Sequence, residues 1–386
     1  MTERRKIRVA VVFGGRSTEH AVSCVSAGNI LGAIDRDRYE VIPVGIARDG
    51  RWVLAVDDPA RLTITGGELP SVEAVAEPGS EIAARLDRGE SGLVFSGAGE
   101  VPHSLGEVDV VLPVLHGAYG EDGTLQGLLE MTGTCYAGAG VLASAAGMDK
   151  EYMKLIFAAR GLPVGPYVVI RDRDWRAADP ATLAAATERK RVLDEIGELG
   201  WPVFVKPARG GSSIGTSRAR DDAELEAAIE GARQHDPKVL VEAAVEGMEI
   251  ECAVLEGVEG TGGGPPDASL PAQVLVGGNA GYYDFQSKYL QSDTGVAIPP
   301  PIPAAHIEQI RQLACAAFDA VSCEGLARVD FFYTPAGQIL VNEINTMPGM
   351  TPASAFPMMW EASGLPLPQL VDRIIQTALH KRGGLR

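Results

Sequence analysis

The sequence predicts an α/β protein whose N-terminal part is an open parallel sheet and whose C-terminal part is α+β in character. Three stretches carry that prediction. Ile7–Phe13 is a continuous apolar run, the pattern of a strand buried on both faces of a parallel sheet, and it enters Gly14-Gly15 and then a helical segment. Strand-like and helix-like stretches then alternate through Tyr39–Ala47, Val108–Leu115 and the segment from Thr124, an order that places a site at the strand C-termini. Near the other end, Arg328–Tyr333 and Ile339–Asn345 flank Thr334-Pro335-Ala336-Gly337 and read as a two-stranded ribbon.

Taken in order, the first strand leads to a predicted helix over 21–34. Strand, glycine turn and helix N-terminus in succession suit an anion or a carboxylate. Glu19 at that mouth fits a substrate ammonium; it also fits a simple helix-dipole partner. Residues 65–100 are rich in Gly and acids and read as a peripheral excursion. Gly138–Ala143 matches the loose GxGxxA pattern but lacks the βαβ setting and the downstream acid of a dinucleotide site, so it reads as a turn before a helix. Met148-Asp149-Lys150 opens a helix that Gly161-Leu162-Pro163 ends.

A strand at 167–170, a helix at 180–198 and a strand at 202–207 ending on Lys206 come next. The small-residue loop 208–215 has amides and the hydroxyls of Ser212 and Ser213 that suit phosphates, or it is an ordinary hairpin loop. Strands at 238–242 and 248–255 put Glu242 and Glu249 on either side of a short connector, an arrangement suited to a flat base and a ribose. Residues 260–269 read as a hairpin tip, and 274–276 continue the sheet. The long polar loop 277–295, with Lys288-Tyr289, has the length of a lid. An amphipathic helix at 304–321 precedes the ribbon, the loop 347–354 follows it, and a helix at 367–379 comes last.

Side chains alternate along a strand, so Arg328 and Asp330 share a face, as do Glu343 and Asn345. A turn at 335–338 sets Asp330 opposite Glu343 and Arg328 opposite Asn345. Ala327, Val329 and Phe331 then form an apolar face for a core. Two opposed carboxylates repel and need positive charge between them. Hard oxygen ligands favour magnesium completed by a substrate phosphate; the alternative is a solvated face on which Arg328 neutralises both acids.

With 386 residues the chain has length for two or three domains. Its 51 acidic and 34 basic residues give a net charge of −17, which argues against nucleic acid or an anionic membrane as partner. Five scattered cysteines without a CxxC pair read as reduced thiols in a cytoplasmic protein. The basic start and short apolar run enter Gly14-Gly15, so they read as a first strand and not a signal peptide.

The segments GGRSTEHAVS, HGAYGEDGTLQG, GMDK, FVKPARGGSSIG, SKYL, ARVDFF and VNEINTMPGMT, in this order, resemble the D-alanine–D-alanine ligases of the ATP-grasp superfamily. The resemblance covers nearly the whole chain. It implies a three-domain ATP-grasp architecture: an N-terminal α/β substrate domain over 1–138, a central small domain over 139–240 and a C-terminal domain over 241–386. By that likeness Lys150 and Lys206 hold the α- and β-phosphates of ATP under the loop of Ser212 and Ser213. Glu242 meets adenine, Glu249 the ribose, and Lys288 approaches the γ-phosphate. Asp330, Glu343 and Asn345 bind two Mg2+ ions, or Mn2+, with Glu343 bridging. Glu19 orients the first D-alanine's ammonium beside His116, and its network with Ser212 and Tyr289 is counted as catalytic. Arg328 and the Gly349 amide stabilise the developing oxyanion, and Ser354 holds the second D-alanine's carboxylate. A homodimer is also implied.

Two departures stand out: Ala21, where many members carry an acid, and the insertion GTGGGPPDAS. Rival expectations are a D-alanine–D-lactate ligase, against which Tyr289 argues, a nicotinamide-dependent oxidoreductase, and a nucleotide-binding regulator without catalysis.

Overall fold

The computed structural model describes residues 5–85, 94–97, 108–175, 183–258, 264–275 and 295–380. Its strands form three sheets. The first contains β1 (Ile7–Gly14), β2 (Tyr39–Ile46), β3 (Trp52–Ala55), β4 (Ala76–Arg85), β5 (Val94–Gly97) and β6 (Val110–Val114), in the order β5-β4-β3-β2-β1-β6. β1 runs parallel to both its neighbours, and Val9 to Phe13 are fully buried, as the unbroken apolar run predicts.

The other half of this sheet makes the expected open parallel sheet a mixed one. β2, β3, β4 and β5 pair antiparallel, so residues read as a peripheral excursion build the sheet's edge. Only residues 47–51 separate β2 from β3, with Ala47 N–H bonded to Arg51 O at 2.8 Å. A connection that short returns a strand antiparallel; a parallel return needs a crossover of a dozen residues or more.

The C-terminus closes this first sheet. Leu370, Val371, Ile374 and Ile375 of the helix Leu367–His380 share a core with Val9, Val11 and Phe13. The Tyr39 hydroxyl donates to Asp372 and accepts from Gln376 at 2.8 Å, fixing the helix along the sheet.

At the C-terminal end of β1 the backbone turns sharply. Gly14 has φ +92°, and a Cβ there would lie 2.4 Å from Ile46 O, so only glycine fits. His20 opens the helix His20–Ala33 and is fully buried behind this turn. Its Nδ1 donates to Gly15 O at 2.7 Å and its Nε2 accepts from Val72 N–H at 3.1 Å. Both bonds suit a neutral ring, and burial pushes the imidazole below its ordinary range, with Arg48 adding to the effect against the Gly15 carbonyl. A histidine held neutral in the fold favours the unfolded chain on protonation. Its contribution is therefore complete above the unfolded value, about 6.5, and is lost as pH falls below it. Relative to a His20→Asn variant, the wild-type denaturant midpoint is expected to keep a constant offset from weakly alkaline pH down to about 6.5 and to lose that offset on further acidification. An offset that grew on acidification would contradict this account of His20.

The second sheet consists of β7 (Tyr167–Arg171), β8 (Val203–Pro207), β9 (Ser217–Ala219) and β10 (Lys238–Ala243), antiparallel throughout in the order β7-β10-β8-β9. The helix Asp222–Arg233 covers it with Leu225 and Ile229, and the helix Leu183–Glu198 adds Val192 and Ile196.

The third comprises β11 (Met248–Gly257), β12 (Gly264–Ala268), β13 (Ala272–Leu275), β14 (Gly295–Ala297), β15 (Leu326–Tyr333) and β16 (Ile339–Asn345). Its order is β14-β13-β11-β15-β16, with β12 also on β11. The helices Ala304–Ala320 and Lys150–Ala159 pack here, Ile310, Met153 and Phe157 meeting Val329, Phe331 and Val341.

The ribbon β15–β16 has the predicted pairs at the site: Asp330 faces Glu343 and Arg328 faces Asn345. It reaches them differently near the turn, where Tyr333 pairs with Ile339 and the loop is one residue longer than expected. A bulge between Asp330 and Phe331 absorbs the difference on the β16 side, at Asn342. Ala327, Val329 and Phe331 are buried as expected.

Gly138–Ala143 is a turn leading into the helix Val141–Met148, as read. Residues 259–263 of the hairpin tip, and 276–294 of the expected lid with Lys288 and Tyr289, lie outside the described residues. Among the described residues, no helix is long and apolar enough to cross a membrane.

Candidate active site

The edges of all three sheets meet around one cleft of about 340 Å³, large enough for a nucleotide-sized ligand. Every candidate residue within the described segments lines it: Glu19 and His116 from the first sheet's loops, Lys150, Lys206, Ser212, Ser213 and Glu242 around the second, and Glu249, Arg328, Asp330, Glu343, Asn345, Gly349 and Ser354 from the third and the loop after it. Residues far apart in the chain are thus brought to one place.

The ribbon supplies the acidic wall. The Arg328 guanidinium donates to both Asp330 oxygens, Nε to Oδ1 and Nη2 to Oδ2, each at 2.7 Å, and lies 3.4 Å from Glu251. Asn345 Nδ2 donates to Asp330 Oδ2 at 3.0 Å. Glu343 Oε2 lies 3.6 Å from Lys150 Nζ. Asp330 and Glu343 therefore sit opposite each other with a cation on each side, the condition under which a ribbon keeps such a pair.

The facing wall is basic. Lys150 stands at the N-terminus of its helix, which the Asp149 carboxylate caps, and its Nζ donates to Gly210 O at 3.0 Å. The helix start thereby anchors the small-residue loop. Lys206, the penultimate residue of β8, pairs with Glu242 at 2.6 Å. Burial pulls the Lys206 ammonium down, but the Glu242 and Glu343 carboxylates outweigh it and hold its pKa above the usual lysine range. Burial likewise opposes charge on Glu242, and Lys206 and Lys154 overcome it, keeping the carboxyl well below the ordinary range.

Ser212 and Ser213 both take left-handed backbone angles, φ +50° and +57°, which non-glycine residues adopt only under constraint. The result is a tight turn that aims the Ser212 hydroxyl at the Glu19 carboxylate, to which it donates. Glu19 is the N-cap residue of its helix, and its side chain makes no capping bond there. Gly211 packs so closely that a Cβ there would lie 2.8 Å from Glu19 Oε2. Gly211→Ala is expected to displace the loop or the carboxylate and raise KM for an amino acid substrate severalfold while leaving the fold intact. Steady-state kinetics beside a thermal melt would check this; an unchanged KM would contradict the tight seating.

His116 closes the floor. Its Nδ1 donates to Met347 O at 3.0 Å, and its Nε2 faces Ser26 Oγ at 3.3 Å, which in turn accepts from Met350 N–H at 3.1 Å. Burial drives the imidazole below its ordinary range against the pull of Glu19, so it is a neutral strut between the first sheet and the loop carrying Gly349. Ser354 Oγ accepts from Thr351 N–H at 3.0 Å.

Three residues of this site were not singled out from the sequence. Glu121 lines the cleft, accepts from Gly117 N–H at 3.0 Å, and has its pKa pushed up to about 8 by burial and then by Glu19. Its signal was present in HGAYGEDG. Glu251 shares a strand face with Glu249 two residues away, and alternation alone would have found it. Lys154 lies one helical turn beyond Lys150 and 3.0 Å from Glu242.

A cleft between two antiparallel sheets, with lysines on one wall and opposed carboxylates on the other, defines an ATP-grasp ligase. The family model for the D-ala D-ala ligase N-terminus matches residues 8–139, and that for the D-ala D-ala ligase C-terminus matches residues 156–376. A D-alanine–D-alanine ligase from Streptomyces coelicolor is 55% identical over 380 residues, 98% of this chain and 95% of its own length. One from Pseudarthrobacter chlorophenolicus is 52% identical over 385 residues, 99% and 97% of the two chains. Among solved structures, the D-alanine-D-alanine ligase from Coxiella burnetii superimposes with a TM-score of 0.78 at 34% identity, covering 97% of this chain and 94% of that one. The VanG D-Ala:D-Ser ligase from Enterococcus faecalis gives 0.80 at 32%, covering 97% and 100%. The chain belongs to the D-alanine–D-alanine ligase family.

Proposed function

We propose that the protein joins two molecules of D-alanine at the expense of ATP, releasing ADP and phosphate and supplying D-alanyl-D-alanine for peptidoglycan precursors. The observation that carries this reading is the single cleft in which Lys150 and Lys206 face the Asp330–Glu343 pair, with Glu19 and Ser212 meeting at its mouth. The first D-alanine's carboxylate attacks the γ-phosphate in line, giving an acyl phosphate and ADP. The second D-alanine, having lost its ammonium proton, attacks the acyl carbon, and phosphate leaves with the bonding pair of the C–O bond.

In this reading Lys150 and Lys206 neutralise the phosphates, and the Ser212–Ser213 turn covers them. Glu242 and Glu249 take the adenine and ribose end. Both Glu242 oxygens are engaged by lysines, Oε1 by Lys154 at 3.0 Å and Oε2 by Lys206 at 2.6 Å. Glu19 receives the first ammonium, Arg328 and the Gly349 amide face the acyl oxygen, and Ser354 takes the second carboxylate. Lys288 and Tyr289 are assigned to the γ-phosphate and to the Glu19–Ser212 network from the SKYL resemblance.

The donor set also fits Mg2+, or Mn2+ in its place. Among the described residues no three acidic, His or Cys side chains converge, so Asp330, Glu343 and Asn345 would hold two ions only with phosphate oxygens and water completing the shell. Bound there, the ions would supply charge neutralisation at the transferring phosphoryl group. Three units over 1–138, 139–240 and 241–386 are kept in this reading, although β10 of the second sheet, Lys238–Ala243, crosses the last boundary, and the family resemblance supports a cytoplasmic homodimer.

The test is product analysis by mass spectrometry with ATP, magnesium and D-alanine, D-serine and D-lactate offered together. D-alanyl-D-alanine as the dominant product supports the assignment. Dominant D-alanyl-D-serine or D-alanyl-D-lactate would reassign the acceptor.

A further inference from the structure

We infer that Lys154 is a positioning residue for the nucleotide, acting through Glu242 so that the cleft wall at Lys206 keeps a net positive charge for a polyphosphate. The inference rests on the ATP reading above and deepens it.

Lys150 and Lys154 are four residues apart on one helix and so project to neighbouring positions. Lys150 faces the cleft. Lys154 does not line it; its side chain is 3% exposed, with the ammonium 5.7 Å from the Tyr167 ring centroid. A lysine is rarely so buried without a charged partner. Its partner is Glu242, whose Oε1 lies 3.0 Å from Lys154 Nζ while its Oε2 lies 2.6 Å from Lys206 Nζ. One carboxylate thus bridges two ammonium groups, one inside the cleft and one behind it.

Counting charges shows what the hidden lysine does. Lys154, Glu242 and Lys206 together carry a net charge of about +1, with Lys206 as the member of the pair of cations that reaches ligand. Without Lys154, Glu242 and Lys206 cancel, and the wall that should meet phosphates becomes neutral. With Lys154 in place, Glu242 can serve the nucleoside end without disarming Lys206. The strongly ionised state of Glu242, held by both Lys206 and Lys154, agrees with this division. A lysine that merely tethered two elements would alter stability, not the balance between charged and uncharged ligands.

The test compares equilibrium binding of ADP and of adenosine, both without metal, to the wild-type chain, Lys154→Met, Glu242→Gln and the double variant. Adenosine reports the seating of base and ribose, and the ratio of the two affinities reports charge at the phosphates. Lys154→Met is expected to lower that ratio about tenfold and Glu242→Gln to raise it. The double variant, whose net charge equals that of the wild type, should return to within about twofold of it. Lys154→Arg should preserve the ratio. If Lys154→Met does not fold, the double variant against Glu242→Gln decides: a lower ratio in the double variant supports the inference and an equal one overturns it. An unchanged ratio in folded Lys154→Met, or a double variant no better than the single one, also overturns it. Failure of the wild-type chain to bind ADP at all would instead bring down the ATP reading, and the inference with it.

Discussion

Glu343→Gln is expected to keep the fold and to lower D-alanine-dependent phosphate release by about a hundredfold, the scale seen when one preorganised charge contact to a transition state is removed. The side chain keeps its volume, and its position on the ribbon is set by backbone pairing with Asp330, so little structure depends on the charge. What disappears is one of the two opposed carboxylates that, in the proposed reading, would hold the Mg2+ ions at the phosphoryl group; Glu343 also lies 3.6 Å from Lys150. Phosphate release measured beside circular dichroism would check it. Near-normal turnover in a folded variant would remove Glu343 from the site.

The second large effect concerns Arg328. Its guanidinium is the cation that separates Asp330 from Glu251, and all three side chains are at most 16% exposed. Removing one member of a buried ionic group leaves the others uncompensated and costs about 3–5 kcal/mol. Arg328→Met is therefore expected to lower the denaturant midpoint clearly and to abolish most turnover. It should also make the protein respond to magnesium, because Asp330 and Glu251 would then lack their arginine. Denaturation with and without the ion checks both parts. A midpoint equal to wild type, or a variant stabilised by magnesium no more than wild type, would contradict the charge balance described for the ribbon.

The ribbon also shows what a single sequence discloses and what it withholds. Strand alternation and a Pro-Gly turn were enough to place Asp330 opposite Glu343, because side-chain direction in a strand is set locally. The bulge at Asn342 was not legible, since it depends on how β16 fits against β15 over its whole length. The same distinction separates β1 from β4. Ile7–Gly14 is apolar enough to declare itself, whereas AEPGSEIAAR carries Pro78 and Gly79 and becomes a strand because β3 offers it an edge. At the site, Lys150, Lys206 and Glu19 stood out beside glycine-rich turns. Lys154 and Glu121 did not, because their meaning lies in Glu242 and Glu19, which only the folded chain brings to them. The match of seven short segments to one family supplied the roles; spacing alone left the phosphate loop and the metal face open.

The central claim is that one cleft activates a D-alanine carboxylate as an acyl phosphate and then passes it to a second D-alanine. The measurement that tests it most directly follows heavy oxygen from the carboxylate of labelled D-alanine, with ATP and magnesium present, while dipeptide and phosphate are both quantified. Attack of the carboxylate on the γ-phosphate requires one labelled oxygen to leave with each phosphate, and one dipeptide to form for each phosphate released. Unlabelled phosphate, or phosphate released without dipeptide, would contradict the mechanism and the function built on it.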